Sequence, residues 1–252
     1  MTLTALPRRL SASSAAEHCL RQAILSGDIG PGDKLPPERE LSVTLGISRL
    51  TLRAALASLT SSGLLEVTQG SGYRARDFRS VGGPDLIPGL LELITHRRDL
   101  VAIAGDLLRV RRHLARAVLE CLQEAPPSPA RIAAFRERVD RLATAVASSE
   151  DLERLAAIDL DVIAALVAAT ERPVLALMHN PIAHVLTGSS DLARSIYRDP
   201  MRSVVAWRAL ADWLEQPSPP AVADFIALLE RHDADTLAHL ATHRRTSGPR
   251  AR

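Results

Sequence analysis

Aromatic residues are scarce: two Trp, two Tyr and three Phe make up 3% of the 252 residues. Ala, Leu and Val must therefore fill the interior, which favours helices. Cysteine is scarce too. Cys19 and Cys121 lie far apart and form no C-x-x-C pair, which gives no support to a disulfide framework or a thiolate metal site and fits a reducing cytoplasm. Long apolar runs are missing. The longest extends from Val162 to Ala169, far short of the roughly 18 residues of a membrane span. The start of the chain lacks a basic segment followed by an apolar stretch, so a soluble, cytoplasmic protein without a membrane partner is expected. Charge of one sign is also lacking. Net charge is +2, and through Phe78 nine Lys and Arg face seven Asp and Glu. Bulk charge cannot argue for nucleic acid, so that case must rest on where the arginines stand. No G-x-S-x-G, P-loop or H-E-x-x-H occurs and no carboxylate pair is placed for acid–base work, so no enzyme is expected.

What is present falls into two regions. At 46% hydrophobic and 24% charged, the composition is globular, and the length suggests two domains. Ala16, Cys19, Leu20, Ala23 and Ile24 recur at helical spacing until Gly27. "GDIGPGDKLP" interrupts; "PERELSVTLG" resumes with Pro37 near a helix start and Gly46 at its end. In "ISRLTLRAALASLTSSG", Ser48 is an N-cap, Leu52, Leu56 and Leu59 share a face, and Gly63 is a stop. Leu64–Thr68 and Tyr73–Arg76 then read as a hairpin around a glycine-rich tip. That order is a winged helix-turn-helix.

"DFRSVGGPD" breaks the pattern with two glycines and a proline and is read as a linker. Beyond it no period-two alternation appears, and successive apolar runs read as helices. The expected fold is mainly α: a winged helix-turn-helix over 1–77, a linker over 78–85, an all-α antiparallel helical bundle over 86–246 and a polar tail over 247–252.

Ser48, Arg49, Thr51 and Arg53 crowd the start of the third helix. A helix entering the major groove by its amino end presents unsatisfied N–H groups and its positive dipole end to phosphates. Arg can fork onto guanine O6 and N7, while Ser and Thr donate to phosphates or base edges. The leucines on the opposite face would anchor it.

The order "AILSG…PGDKLPPERELS…LGISR…LRAAL…L…GLLEV…GSG" resembles the GntR family of bacterial transcription regulators almost without interruption from Ala15 to Arg76. The resemblance implies DNA contacts at Arg39, Ser48, Arg49, Thr51 and Arg53, with Gly70 at a wing tip flanked by Gln69 and Ser71. Leu50 departs from a position often polar in the family. A double-stranded operator bound by a homodimer follows from the same resemblance.

A helical domain after such a linker resembles the FadR-like branch, whose bundle binds a small-molecule effector. Many members hold a metal there through an Asp, a His four residues on and two later His. Asp159 matches the acid, but Ile163 stands where the first His belongs and Trp207 replaces another, so no metal or other cofactor is expected. The stretch is similar to metal-free regulators released from DNA by long-chain fatty acyl-CoA, which implies a repressor of fatty acid metabolism. Arg111, Asp159, Tyr197, Trp207 and His239 are the effector-contact candidates on that basis. Arg111 could equally form an ion pair between bundle helices, and Trp207 and Trp213 could be ordinary core. His239 and His243, four apart, could bind a cation or stay ligand-free. A small carboxylate or sugar acid, with or without a metal, is the alternative effector.

Overall fold

The computed structural model describes residues 11–68, 70, 72–94, 97–188, 190–215 and 221–242. Gln69, Ser71, His243 and the expected tail lie outside them. The chain divides into two compact units, 1–93 and 94–252.

In the first unit, α1 (Ala12–Ser26) begins where the Ser11 hydroxyl accepts the Ser14 N–H at 3.1 Å, and it ends at Gly27. Its Ala16, Leu20, Ile24 and Leu25 are buried. Helices α2 (Glu38–Thr44) and α3 (Arg49–Ser61) follow, and Leu52, Ala55, Leu56 and Leu59 of α3 are sealed from solvent. The expected leucine face is thus the face that packs, in one cluster with Leu20, Ile24, Leu35 and Leu41. Truncating one of these leucines to Ala costs about 2–5 kcal/mol. Strands β1 (Leu65–Thr68) and β2 (Gly72–Ala75) pair antiparallel, with Leu65 opposite Ala75 and Thr68 opposite Gly72. Backbone from 33 to 35 adds to the hairpin: the Leu35 N–H donates to the Tyr73 carbonyl and the Ala75 N–H to that of Asp33, both at 2.9 Å. Its glycines and prolines hid this pairing in the sequence.

The segment expected as a linker is built into the first unit. It carries α4 (Phe78–Val81) and a 3₁₀ turn (Pro84–Leu86), followed by α5 (Ile87–Glu92). Leu86 is buried in the same cluster as α1 and α3. Gly89 comes so close to α1 that a Cβ there would stand 2.8 Å from Leu25 Cδ1. Gln22 Nε2 donates to the Gly89 carbonyl at 3.3 Å and to Glu92 at 2.7 Å. Two glycines and a proline end a long helix but permit short turns, which is why the pattern read as a break.

The second unit comprises α6 (Arg97–Glu124), α7 (Pro129–Ala147), α8 (Leu152–Ala169), α9 (Pro173–Gly188), α10 (Ser190–Ile196), α11 (Pro200–Glu215) and α12 (Ala221–Thr242). Its 28 residues make α6 about 42 Å long at 1.5 Å per residue. Pro129 opens α7, and the Asp151 side chain caps α8 by accepting the Arg154 N–H at 2.8 Å. Helix α7 packs on α8 and α11, α12 on α6, and α9 on both α6 and α8. Phe135, Val162, Val204 and Leu122 lie at the centre of the core. The short α10 was not expected; seven residues hold too little periodicity to stand out. Among the described residues no helix is long and apolar enough to cross a membrane.

Candidate nucleic-acid interface and effector cavity

The amino end of α3 is an N-capped helix start exposed at Ser48, Arg49 and Leu50. Ser48 is its N-cap: its Oγ accepts the Thr51 N–H at 3.1 Å and lies 2.8 Å from Thr51 Oγ1. Both hydroxyls therefore shape the helix start, and any DNA contact they make shares them with the cap. Arg49 and, on α2, Arg39 are exposed, and among the described residues neither takes part in an ion pair. Two cations without local acceptors stay available for phosphate or base edges. Arg53 differs: its Nε donates to Glu38 Oε2 at 2.8 Å, tying α3 to α2. Leu50 is 81% exposed on the same end, an apolar group suited to contact with a thymine methyl.

At the wing tip Gly70 has φ +76, and a Cβ there would meet nothing within 4 Å. The turn thus needs a residue that tolerates the left-handed region, and its tip is open to a groove. Arg74 on β2 donates to the Gly32 carbonyl, so it braces the sheet.

The second unit holds a cavity of about 180 Å³ among α6, α8, α9, α10, α11 and α12. Val118, Leu119, Leu166, Leu210, Phe225 and Leu229 give it largely apolar walls; Arg111, Asp159, His179, Arg202, Ser203 and His232 supply the polar groups.

Asp159 is 6% exposed, and the other buried residues of α8 are all aliphatic. Its two oxygens accept from Trp207 Nε1 at 2.7 Å and from the Tyr197 hydroxyl at 2.8 Å. Burial pushes its pKa above the usual carboxylate range; the two hydrogen bonds and the charge of Arg111 act the other way. Burial also raises Tyr197, beside that carboxylate. Tyr197 thus reaches the site through Asp159, while Trp207 lines the cavity and meets Phe135 edge-on at 6.2 Å.

Arg111 pairs with Asp233 of α12, so the ion pair between bundle helices that the sequence allowed is formed, and by a side chain that also lines the cavity. Arg112 lies 3.4 Å from the other Asp233 oxygen and 3.6 Å from Glu230. Burial raises Asp233 while the two arginines oppose the shift. His179 is held below its usual pKa by burial and Arg111. His232 is pushed down to about 4 by burial, then Arg111 and Arg202. Both imidazoles are neutral at pH 7.

His239 is not among the groups lining the cavity; its Nδ1 lies 3.2 Å from Ser195 Oγ, between α12 and α10. Trp213 belongs to the core, against Phe225 at 5.9 Å. Ile163 lines the cavity one turn after Asp159. An indole N–H can only donate, and with both Asp159 oxygens accepting from neutral donors this set does not fit a metal ion. The sequence missed Asp233, His179 and His232, since no spacing on one helix joins groups that meet from α6, α9 and α12. An acidic residue among the apolar positions of α12 was the one available signal for Asp233.

Residues 12–74 match the family model described as bacterial regulatory proteins, gntR family, and residues 106–232 match the FCD domain. An HTH-type transcriptional regulator of Mycobacterium tuberculosis is 29% identical over 81% of this chain and 80% of its own length. The fatty acid metabolism regulator protein of an Enterobacter strain is 26% identical over 70% of each chain. A solved structure described as Lar, which controls expression of the Listeria monocytogenes agr system, superposes with a TM-score of 0.59 at 15% identity, covering 92% of this chain and 98% of that one.

Proposed function

The chain belongs to the GntR family of bacterial regulatory proteins and carries an FCD domain, and we propose that it binds a palindromic operator as a homodimer and leaves it when an effector enters the FCD cavity. It is a DNA-binding transcription regulator rather than an enzyme. The DNA-binding domain of this proposal is 1–77, with the amino end of α3 in the major groove and Gly70 reaching the minor groove. Arg39, Ser48, Arg49, Thr51 and Arg53 carry the contacts, joined at the tip by Gln69 and Ser71. Two-fold protein symmetry matches a two-fold operator.

The proposed effector is a long-chain fatty acyl-CoA acting on a repressor of fatty acid metabolism. The observation that carries it is a cavity with aliphatic walls and Arg111 among its polar groups, in a chain 26% identical to a fatty acid metabolism regulator protein. Burying each CH₂ of an acyl chain contributes about 0.8 kcal/mol. A second effector, a small carboxylate or sugar acid, is favoured by the volume: 180 Å³ lies below the roughly 300–1,000 Å³ of drug-sized ligand pockets. An acyl chain would have to widen the cavity. An effector releases DNA only by preferring the form that holds DNA poorly.

A thermal-shift screen of the purified protein with oleoyl-CoA, citrate, gluconate and lactate separates the two, since only a ligand of the folded state raises Tm. Mobility shifts on the duplex upstream of its own coding sequence test the rest. Stabilisation by oleoyl-CoA with loss of the shifted band is expected; stabilisation by citrate, gluconate or lactate alone would replace the acyl-CoA.

A further inference from the structure

Arg111 sits on α6 with its side chain 14% exposed, and its partner Asp233 on α12 is 2% exposed. Its Nε is buried and has no hydrogen-bond partner, so the guanidinium keeps a donor unused although it already holds a carboxylate. A five-donor fork suits two acceptors arriving side by side. The rest of the cavity's polar set offers an anion less. Asp159 repels it, and His179 and His232 are kept neutral. Arg202, also on the wall, is paired with Asp235 at 2.7 Å in an exposed bridge. Arg111 is therefore the buried cation that an anion in this cavity meets.

The carboxylate it already holds is not stranded if the arginine turns away. Arg112 stays 3.4 Å from Asp233 Oδ2, which has no hydrogen-bond partner of its own, so a second cation is in place. Losing the only partner of a buried charge is strongly destabilising, whereas exchanging one of two is not.

Resting on the effector reading above, we propose that Arg111 and Asp233 form a latch between α6 and α12, and that an effector opens it by placing its own anionic group on Arg111 in place of the Asp233 carboxylate. The effector class is then an amphipathic anion, with a carboxylate or phosphate oxygen at Arg111 and an apolar body along Leu119, Leu166 and Phe225. The exchange forms no covalent bond: Asp233 passes to Arg112, and α12 loses one of its ties to α6.

Trp207, on the cavity wall, reports occupancy by fluorescence, and hydrogen exchange of the α12 amides reports the latch. Both are read on the full-length protein, wild type and Asp233→Asn, titrated separately with oleoyl-CoA, oleate and citrate. In the wild type at least one of these anions should quench or shift Trp207 emission and speed α12 exchange at least tenfold. Asp233→Asn should exchange fast without any anion and bind the active anion at least fivefold tighter, because Arg111 no longer has a competitor. A merely structural ion pair also loosens α12 when broken, but does not gain affinity. Arg111→Gln should abolish the response while keeping a folded circular dichroism spectrum. Unchanged or weaker anion binding by folded Asp233→Asn overturns the latch, as does a wild type that responds to none of the three. A response to citrate alone supports the exchange at Arg111 but overturns both the amphipathic class of the anion and the acyl-CoA, so the latch and the effector reading fail separately. If Asp233→Asn does not fold, Asp233→Glu replaces it. The longer side chain, reaching Arg111 from a shifted position, should change anion affinity more than twofold; an affinity equal to wild type overturns the latch.

Discussion

The two units put arginine to opposite uses. In the first, Arg39 and Arg49 are exposed and, among the described residues, outside any ion pair; in the second, Arg111 and Arg112 converge on a carboxylate that is 2% exposed. A hydrated guanidinium costs nothing to keep ready and gains its partner only when a phosphate or base edge arrives. A buried one must be neutralised in advance, so it binds a new anion only by exchange. In the proposed reading, the difference separates a surface that waits for a macromolecule from a cavity in which a small ligand acts by displacing a partner already bound.

Substitutions at matched positions break the comparison in different currencies. The largest effect on stability is expected for Arg111→Ala, which removes packing and one of the two partners of a buried charge while Arg112 remains as the other; it should cost about 1–3 kcal/mol of unfolding free energy, read by denaturant titration. A loss below 1 kcal/mol would show that Arg111 is not needed to neutralise Asp233. Arg39→Ala, by contrast, should leave stability within about 0.5 kcal/mol. It should reduce the slope of log affinity against log salt on DNA by about 1, if Arg39 meets a phosphate. An unchanged slope would move Arg39 off the DNA.

Smaller still is the Arg53–Glu38 bridge, exposed enough that a double-mutant cycle should return about 0.2–1 kcal/mol. A coupling above 2 kcal/mol would mean that α2 and α3 depend on it for their placement. His232 gives a prediction without mutation: its imidazole should remain neutral from pH 7 to pH 5 and titrate near pH 4 in an NMR titration. Because the unfolded chain takes up that proton around pH 6.5 and the folded one does not until about 4, this group lowers stability as pH falls through that window. Asp159 and Asp233, held above the carboxylate range, act in the opposite sense when they protonate. A His232 midpoint near 6.5 would contradict its burial beside Arg111.

Much of the first unit was legible because its signals are local. Ser48 caps the helix it was expected to cap, and Leu52, Leu56 and Leu59 are buried as their spacing implied. The pairing of 33–35 with β2 escaped notice, since it joins residues some forty apart through backbone atoms that carry no sequence preference. Apart from the short α10, the helices of the second unit were legible one by one, but not their meeting points. Asp159 was singled out by resemblance, yet its bonds to Tyr197 and Trp207 depend on how α10 and α11 pack around α8. His239 was expected at the effector and instead lies against Ser195, because about two turns of α12 separate it from His232 on the cavity wall.

The central claim is that the amino end of α3 reads DNA through Arg49. Fluorescence anisotropy of the wild type and Arg49→Ala on the duplex upstream of the coding sequence, at one fixed salt concentration, tests it most directly. Affinity should fall by about 1–3 kcal/mol, roughly five- to 150-fold, with the unfolding transition unmoved. Full retention of specific binding by a folded Arg49→Ala protein would contradict it.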